Sequence, residues 1–227
     1  MTKLIKFNTI DELMKSLSNQ VANDLKDAIN KNKIVTLSVP GGTTPAPFFD
    51  YLCEEDLDWS MVNILLSDER YLSESNSRSN TGLIKKHLIQ KKASKAKFIS
   101  FYNENMTENE FVNENEFFMH DLLPINVSIL GMGEDMHTAS LFPDSNELND
   151  ALKSNKSLHV VRPRSQPEAR ISLSGKALAS ADKTYILILG QEKLKAYDKA
   201  CLEKSENNAP IRVAFGDNTK VYWADKI

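Results

Sequence analysis

The stretch Ile125-Asn-Val-Ser-Ile-Leu-Gly-Met-Gly-Glu-Asp-Met-His137 decides the fold class and points to a functional site. Residues 125–130 are mostly apolar or β-branched, which is typical of a short buried strand. Residues 131–137 follow with two glycines, two carboxylates and a histidine. Open parallel sheets bind their ligands outside the carboxyl ends of the strands. The stretch therefore predicts a strand whose carboxyl end carries a site.

Three further segments repeat this arrangement. Apolar runs at 34–39, 62–66 and 184–189 predict strands. They are followed by Gly41-Gly42-Thr43-Thr44, by Asp68-Glu69-Arg70 and by Gly190-Gln-Glu-Lys193, respectively. Parallel strands would place all four polar segments on one edge of the sheet, and we expect that edge to form the site.

Helical patterns lie between these strands. Apolar residues recur every four positions from Leu13 to Ile29, which indicates a helix face. Further helices are predicted at 45–55, 80–90, 108–123 and 191–202, with a final strand at 221–223. The alternation predicts an α/β fold, a mostly parallel sheet flanked by helices. One domain is predicted over residues 1–227, with a loop-rich segment at 143–172.

Composition limits the partners of this 227-residue chain. The net charge of −3 gives no basic field for nucleic acid, and the lysines between Lys85 and Lys97 are interpreted as a solvated helix and the loop after it. No apolar run approaches membrane-spanning length, so no membrane partner is expected. The N-terminus lacks an export signal, and Cys53 and Cys201 are isolated, which together predict a cytoplasmic protein.

The polar segments carry residues suited to acid–base and anion chemistry. The glycines and threonines at 41–44 precede a predicted helix, so they form either an anion-binding loop or a plain tight turn. His137 can take a proton from water, and Asp135 can fix its tautomer, although a loop histidine is often structural. Residues two apart do not face each other on a helix, so this contact requires irregular backbone.

Three cations complete the candidate set. Arg70 can stabilise an oxyanion or bind a phosphate, and the alternative is a surface ion pair. Arg170 and Lys193 are further anion contacts or solvated charges. The chain has no GxSxG, no HExxH and no P-loop. A site without metal or cofactor, and without a covalent serine or cysteine, is therefore expected.

Several segments together resemble the 6-phosphogluconolactonases. They are Val39-Pro-Gly-Gly-Thr-Thr-Pro45, Ser67-Asp-Glu-Arg70, Ser79-Asn80, Leu130-Gly-Met-Gly-Glu-Asp-Met-His-Thr-Ala-Ser-Leu-Phe-Pro143 and Arg170-Ile-Ser-Leu-Ser174. The resemblance implies a Rossmann-like fold, as in glucosamine-6-phosphate deaminase and ribose-5-phosphate isomerase. It also implies hydrolysis of 6-phospho-D-glucono-1,5-lactone to 6-phosphogluconate in the pentose phosphate pathway.

Two alternatives remain open at this point. One is a deaminase-like or isomerase activity on a sugar phosphate, but such deaminases typically carry Asp-Glu-Tyr where this chain has Asp68-Glu69-Arg70. The other is a sugar-phosphate-binding protein without catalysis. The expected partner is a small phosphorylated sugar lactone, and the expected state is a monomer or weak homodimer.

The resemblance gives each candidate a role. His137 is the general base, Asp135 supports it, and Arg70 stabilises the oxyanion. Asp68 and Asn80 contact the rim or the sugar hydroxyls. The substrate phosphate is assigned to Gly41, Gly42, Thr43, Thr44, Arg170 and Lys193.

Met136 departs from the family pattern, which usually has glycine between the aspartate and the histidine. If this position requires a positive φ, methionine costs roughly 1 kcal/mol or more.

Overall fold

The chain is described by a computed structural model that covers residues 2–32 and 34–226. Its strands are β1 (Lys3–Phe7), β2 (Val35–Val39), β3 (Val62–Leu66), β4 (Asp68–Arg70), β5 (Lys97–Ile99), β6 (Val127–Leu130), β7 (Leu158–Val161), β8 (Arg170–Leu173), β9 (Lys183–Leu189) and β10 (Thr219–Ala224). Its helices are α1 (Ile10–Asn32), α2 (Ala46–Leu52), α3 (Asn80–His87), α4 (Glu108–His120), α5 (Leu148–Lys153), α6 (Gly175–Ala179) and α7 (Gln191–Leu202).

Within the described residues, seven strands form one parallel sheet in the order β1–β10–β9–β6–β2–β3–β5. Every residue of β2 and β6 is buried, as expected where helices cover both faces of a parallel sheet. The predicted α/β class with a mostly parallel sheet is confirmed. Because β3, β2, β6 and β9 are parallel neighbours, the polar segments after them share one edge.

A second, antiparallel sheet was not predicted. Strand β8 pairs with β4 on one side, with Asp68 opposite Ser172, and with β7 on the other. The prediction of an irregular segment at 143–172 was therefore incomplete, and the polar segment at 68–70 forms a strand. These strands have three or four residues each, too few for a periodic pattern to show. The second sheet places β4 and β8 beside the site.

All five predicted helices occur, and α2, α3 and α4 are shorter than predicted. The face of α1 from Leu13 to Leu25 is buried, and Thr9 Oγ1 accepts the Glu12 N–H at 3.1 Å at the start of that helix. Helix α7 has the predicted bounds, whereas α4 ends at His120 rather than at 123. In the part of the chain that the structure covers, no helix is long and apolar enough to cross a membrane.

Candidate active site

A cavity of about 250 Å³ opens at the carboxyl edge of the parallel sheet. The predicted residues that line it are Gly41, Gly42, Thr44, Asp68, Arg70, Asn80, His137, Arg170 and Lys193. Two predicted residues stand outside this lining. Thr43 is exposed, and its carbonyl oxygen accepts the Ala46 N–H at 3.2 Å, at the start of α2. Asp135 reaches the cavity only through its contact with His137.

His137 and Asp135 form a hydrogen-bonded pair. The distance between His137 Nδ1 and Asp135 Oδ1 is 2.5 Å, and the same oxygen accepts the His137 backbone N–H at 3.2 Å. The backbone is a tight turn, in which Met136 N–H donates to the Gly133 carbonyl oxygen at 3.1 Å and Gly133 N–H donates to the His137 carbonyl oxygen at 2.9 Å. The irregular backbone expected for this contact is present. Since Asp135 engages Nδ1, Nε2 is the nitrogen left for a water molecule.

Gly133 is required by the pair itself. A Cβ at this position would lie 2.1 Å from His137 Nδ1 and 2.2 Å from Asp135 Oδ1. Both contacts are far below van der Waals distance, so any side chain at residue 133 would separate the two groups.

Met136 adopts the left-handed conformation, with φ at 66°. The condition considered for this position, a positive φ, is therefore met. Its side chain is only 4% exposed and belongs to the hydrophobic core. Its carbonyl oxygen accepts the Ile211 N–H at 3.0 Å, which ties the turn to the segment before β10. Burial of the side chain, worth about 1.5–3 kcal/mol, offsets a backbone cost of about 1–2 kcal/mol.

The surroundings of the pair favour an ionised Asp135. Burial acts to raise the pKa of Asp135, but hydrogen bonds from the His137 side chain and backbone outweigh it and hold the pKa below its ordinary value. The His137 ring stacks on Phe142, with ring centroids 3.9 Å apart. Phe142 also lies 5.3 Å from the guanidinium carbon of Arg170. The sequence patterns did not single out Phe142, although it is the penultimate residue of the longest motif that carried the resemblance.

Arg70 lies in a hydrogen-bond network that lines the same cavity as Gly133 and His137. Its Nη1 donates to the Arg78 carbonyl oxygen at 2.8 Å and to Asn80 Oδ1 at 2.7 Å. Asn80 Nδ2 donates to the Asp68 carbonyl oxygen at 2.8 Å. Gly41 leaves the space that this network needs, because a Cβ there would lie 1.9 Å from Asn80 Oδ1. The glycine at 41 thus positions Asn80 and, through it, Arg70.

Glu69 accepts hydrogen bonds from the backbone that carries this network. No role was predicted for Glu69. It is completely buried. Its carboxylate accepts the backbone N–H groups of Arg70 and Asn80 at 2.8 Å, that of Thr81 at 2.7 Å, and the Ser79 hydroxyl at 3.2 Å. Burial raises the pKa of Glu69, and the hydrogen bonds from Asn80 and Thr81 oppose that shift. Glu69 therefore fixes the start of α3 and the backbone that carries Arg70.

Asp68 anchors Arg170 in the wall of the cavity. Ser140 Oγ donates to Asp68 Oδ2 at 2.5 Å, and Arg170 Nη1 lies 3.6 Å from the same oxygen. Arg170 Nη2 donates to Gln166 Oε1 at 2.9 Å. Burial lowers the pKa of Arg170, while the Asp68 charge opposes the shift. Both terminal nitrogens of Arg170 therefore have partners within the protein.

The remaining predicted groups suit an anion. Gly42 and Gly190 both have left-handed backbones, with φ at 82° and 83°. Gly190 precedes α7, and Lys193 lies in the first turn of that helix. The backbone N–H groups and the dipole of a helix N-terminus favour a bound anion.

The lysines at 85–97 agree with the interpretation of a solvated surface. Lys85 pairs with Glu74 at 2.5 Å, Lys92 lies 3.6 Å from Asp56, and Lys91 pairs with Glu54. Among residues 2–32 and 34–226, no group of three or more His, Cys, Asp or Glu side chains is placed to hold a metal ion. Chemistry without a cofactor stays a prediction.

Comparison with known proteins identifies the family. Residues 8–223 match the family described as glucosamine-6-phosphate isomerases/6-phosphogluconolactonase. The chain belongs to this family. It is 36% identical to the 6-phosphogluconolactonase of Pseudomonas aeruginosa, with 93% of this chain and 90% of that protein aligned. It is 32% identical to the 6-phosphogluconolactonase of Neisseria meningitidis serogroup A, with 97% and 98% aligned.

Solved structures of the family share the fold. A 6-phosphogluconolactonase from Shewanella baltica superposes with a TM-score of 0.91 at 33% identity, over 99% of this chain and 98% of its own. A monomeric glucosamine-6-phosphate deaminase gives a TM-score of 0.81 at 18% identity, over 99% and 98% of the two chains. That second likeness concerns the fold alone, and it agrees with the predicted fold class.

Proposed function

We propose that this protein hydrolyses 6-phospho-D-glucono-1,5-lactone to 6-phosphogluconate, as a step of the pentose phosphate pathway. The observation that carries the proposal is the Asp135–His137 pair in a cavity that Arg70, Arg170 and Lys193 also line. Relatives named 6-phosphogluconolactonase, 31–36% identical over 86–98% of the chain, support the choice of substrate.

The reaction needs one base that later acts as an acid. His137 Nε2 takes a proton from water as the water oxygen bonds to the lactone carbonyl carbon, giving a tetrahedral oxyanion. The oxyanion collapses, the bond between that carbon and the ring oxygen breaks, and protonated His137 donates its proton to the ring oxygen. Asp135 holds Nδ1–H and stabilises the imidazolium. A positioned acid–base group of this kind contributes roughly 10²–10⁴-fold.

The other residues have binding and electrostatic roles in this proposal. Arg70 uses Nη1 for structural contacts and directs its remaining N–H groups to the oxyanion. Asp68 and Asn80 form the wall on which the sugar hydroxyls bind. The phosphate is assigned to Gly41, Gly42, Thr44, Arg170 and Lys193, which line the cavity, whereas Thr43 lies outside its lining.

A rate comparison tests the proposal. Initial hydrolysis of freshly prepared 6-phosphogluconolactone is followed with and without the protein, and ammonia release from glucosamine 6-phosphate is measured in parallel. We expect lactone hydrolysis well above the spontaneous rate and no ammonia. Ammonia release without lactone turnover would assign a deaminase instead. Thermal stabilisation by sugar phosphates without either reaction would assign a binding protein.

We also propose that residues 1–227 act as one domain, as a monomer or weak homodimer in the cytoplasm. A continuous hydrophobic core joins residues from α1 to β10. Cys53 and Cys201 are both free thiols, which suits a reducing compartment. Light scattering of the purified protein at several concentrations measures its oligomeric state.

A further inference from the structure

Lys226 is a cation of the cavity that the sequence patterns did not single out. It follows the end of β10 by two residues, and β10 is the parallel neighbour of β9. Its position therefore brings it to the segment that connects β9 with α7. Lys226 and Lys193 line the same cavity.

Gly190 provides the surface on which the Lys226 side chain packs. A Cβ at residue 190 would lie 3.1 Å from Lys226 Cδ, 3.2 Å from Cγ and 3.3 Å from Cε. The aliphatic part of the lysine thus passes directly over the glycine at the start of α7. Packing of a long stem against the protein leaves the charged end free for a polar partner.

Hydrogen bonds hold the segment around Lys226 against the start of α7. Gly190 N–H donates to the Ala224 carbonyl oxygen and Trp223 Nε1 donates to the Gly190 carbonyl oxygen, both at 2.9 Å. Gln191 Nε2 donates to Asp225 Oδ2 at 2.5 Å, and the Lys226 N–H donates to Asp225 Oδ1 at 2.8 Å. The backbone that carries Lys226 is therefore fixed relative to α7.

The cations of the cavity differ in how they are neutralised. Arg170 is ion-paired with Asp68. Within residues 2–32 and 34–226, no carboxylate lies within ion-pair distance of Lys193 or Lys226. Two ammonium groups without carboxylate partners, beside the N-terminus of a 12-residue helix, form the positive end of the site.

We propose that Lys226 binds the phosphate of the substrate together with Lys193, and that it makes the enzyme prefer phosphorylated over unphosphorylated lactones. This inference rests on the proposed lactonase function and assigns a residue to its phosphate end. An ammonium group that contacts a phosphate contributes to substrate binding and takes no part in the acyl transfer at the other end of the sugar.

Kinetics with two substrates test the proposal. We compare the wild type with Lys226→Met, which removes the charge and keeps the stem, and with Lys226→Arg, which restores a cation. For 6-phosphogluconolactone we expect Lys226→Met to raise KM roughly threefold to tenfold with little change in kcat, and Lys226→Arg to recover most of the loss. Kinetics with unphosphorylated gluconolactone stay unchanged.

Lys195→Met is the matched control. Lys195 lies on α7, pairs with Glu192 at 2.9 Å and does not line the cavity. We expect its KM to equal that of the wild type. The proposal is overturned if Lys226→Met behaves like Lys195→Met, or if Lys226→Met affects both lactones equally.

A binding measurement separates this inference from the proposed function. Thermal stabilisation by inorganic phosphate is measured at constant ionic strength for the same variants. We expect the half-saturating phosphate concentration to rise roughly threefold to tenfold in Lys226→Met and to stay constant in Lys195→Met. If the wild type hydrolyses neither lactone, the lactonase proposal fails. The phosphate titration still decides the role of Lys226, and equal half-saturation in all variants overturns it.

Discussion

Two histidine–aspartate pairs place the same chemical groups in different surroundings. His137 Nδ1 lies 2.5 Å from Asp135, and its ring lines the cavity. His159 Nδ1 lies 3.6 Å from Asp150, while its Nε2 is 2.6 Å from Ser154 Oγ. His159 is only 6% exposed, and burial lowers its pKa despite the opposing charge of Asp150.

The difference explains why we propose a catalytic role for the first pair and not for the second. Ser154, His159 and Asp150 have the residue types of a hydrolytic triad, yet none of them lines the cavity. Ser154 Oγ also accepts the Lys156 N–H at 3.1 Å, so it is committed to the local backbone. A base needs an aspartate on one nitrogen and access to water on the other, and His137 has both.

The largest effect expected is that of His137→Ala. We predict a loss of kcat of roughly 10²–10⁴-fold, because the variant lacks the group that activates water. Initial rates with fresh lactone, corrected for spontaneous hydrolysis, measure it. His159→Ala is the control and retains kcat. If His159→Ala lost as much activity as His137→Ala, the contrast between the two pairs would fail.

Substitution of the two aspartates, Asp135 and Asp150, tests the same difference between the two pairs. We predict that Asp135→Asn lowers kcat roughly tenfold to hundredfold, because the amide cannot stabilise the imidazolium. Asp150→Asn leaves kcat unchanged. The measurement is kcat as a function of pH for both variants. An unaltered profile in Asp135→Asn would show that His137 acts without its neighbour.

Glu69→Gln tests whether the buried hydrogen bonds around Glu69 stabilise the cavity wall that carries Arg70 and Asn80. All four partners of the Glu69 carboxylate donate hydrogen bonds to it. The amide NH₂ of glutamine is itself a donor, so the partners on that side lose their acceptor. We predict a loss of about 1–3 kcal/mol in the free energy of unfolding, with reduced activity. Urea denaturation measures the stability.

Glu110→Gln is the exposed counterpart of that substitution. Glu110 accepts the Thr107 N–H at 2.7 Å at the start of α4, where water can replace a lost partner. We expect the free energy of unfolding to fall by less than in Glu69→Gln. Equal effects in the two variants would mean that burial of Glu69 is not what matters.

Two substitutions at Met136 separate backbone strain from packing. Met136→Ala and Met136→Gly both lose most of the buried side chain, but only glycine relieves the positive φ. We predict that both variants are less stable than the wild type and that Met136→Gly is about 1 kcal/mol more stable than Met136→Ala. Thermal unfolding compares them, and the reverse order would exclude strain at this residue.

The smallest effect concerns stability at acid pH. Because burial lowers the pKa of His159 below its ordinary value of 6.5, the unfolded chain binds this proton first. Stability from neutral His159 is therefore fully present above pH 6.5 and is lost as pH falls towards the folded-state pKa. We predict that His159→Gln flattens this part of the stability profile, measured by urea denaturation between pH 7 and pH 5. An unchanged slope would assign the acid dependence to other groups.

Features of the fold could be predicted from the sequence where the pattern that indicates them lies within a few neighbouring residues. Strands β2, β3, β6 and β9 carry apolar runs, and β6 and β9 lead directly into glycine-marked segments, so the common edge of these four strands could be predicted. The resemblance marked Met136 as the position of a missing glycine, but the sequence alone left its φ open. The Asp68–Arg170 pair could not, because it depends on β4 and β8, which are too short to show a pattern. Lys226 was missed because its place beside Gly190 results from strand order.

The antiparallel pairing of β4 with β8 also affects the order in which the site can form. The Asp135–His137 contact joins neighbours in the chain and needs only one turn of backbone. The Asp68–Ser172 pairing closes a loop of about a hundred residues, and such closure carries a higher entropic cost. During synthesis, a nascent chain that ends before residue 170 already contains His137, the proposed base, but lacks the strand that carries Arg170. We therefore expect activity to appear late in biosynthesis, after β8 near the C-terminal quarter of the chain has paired with β4.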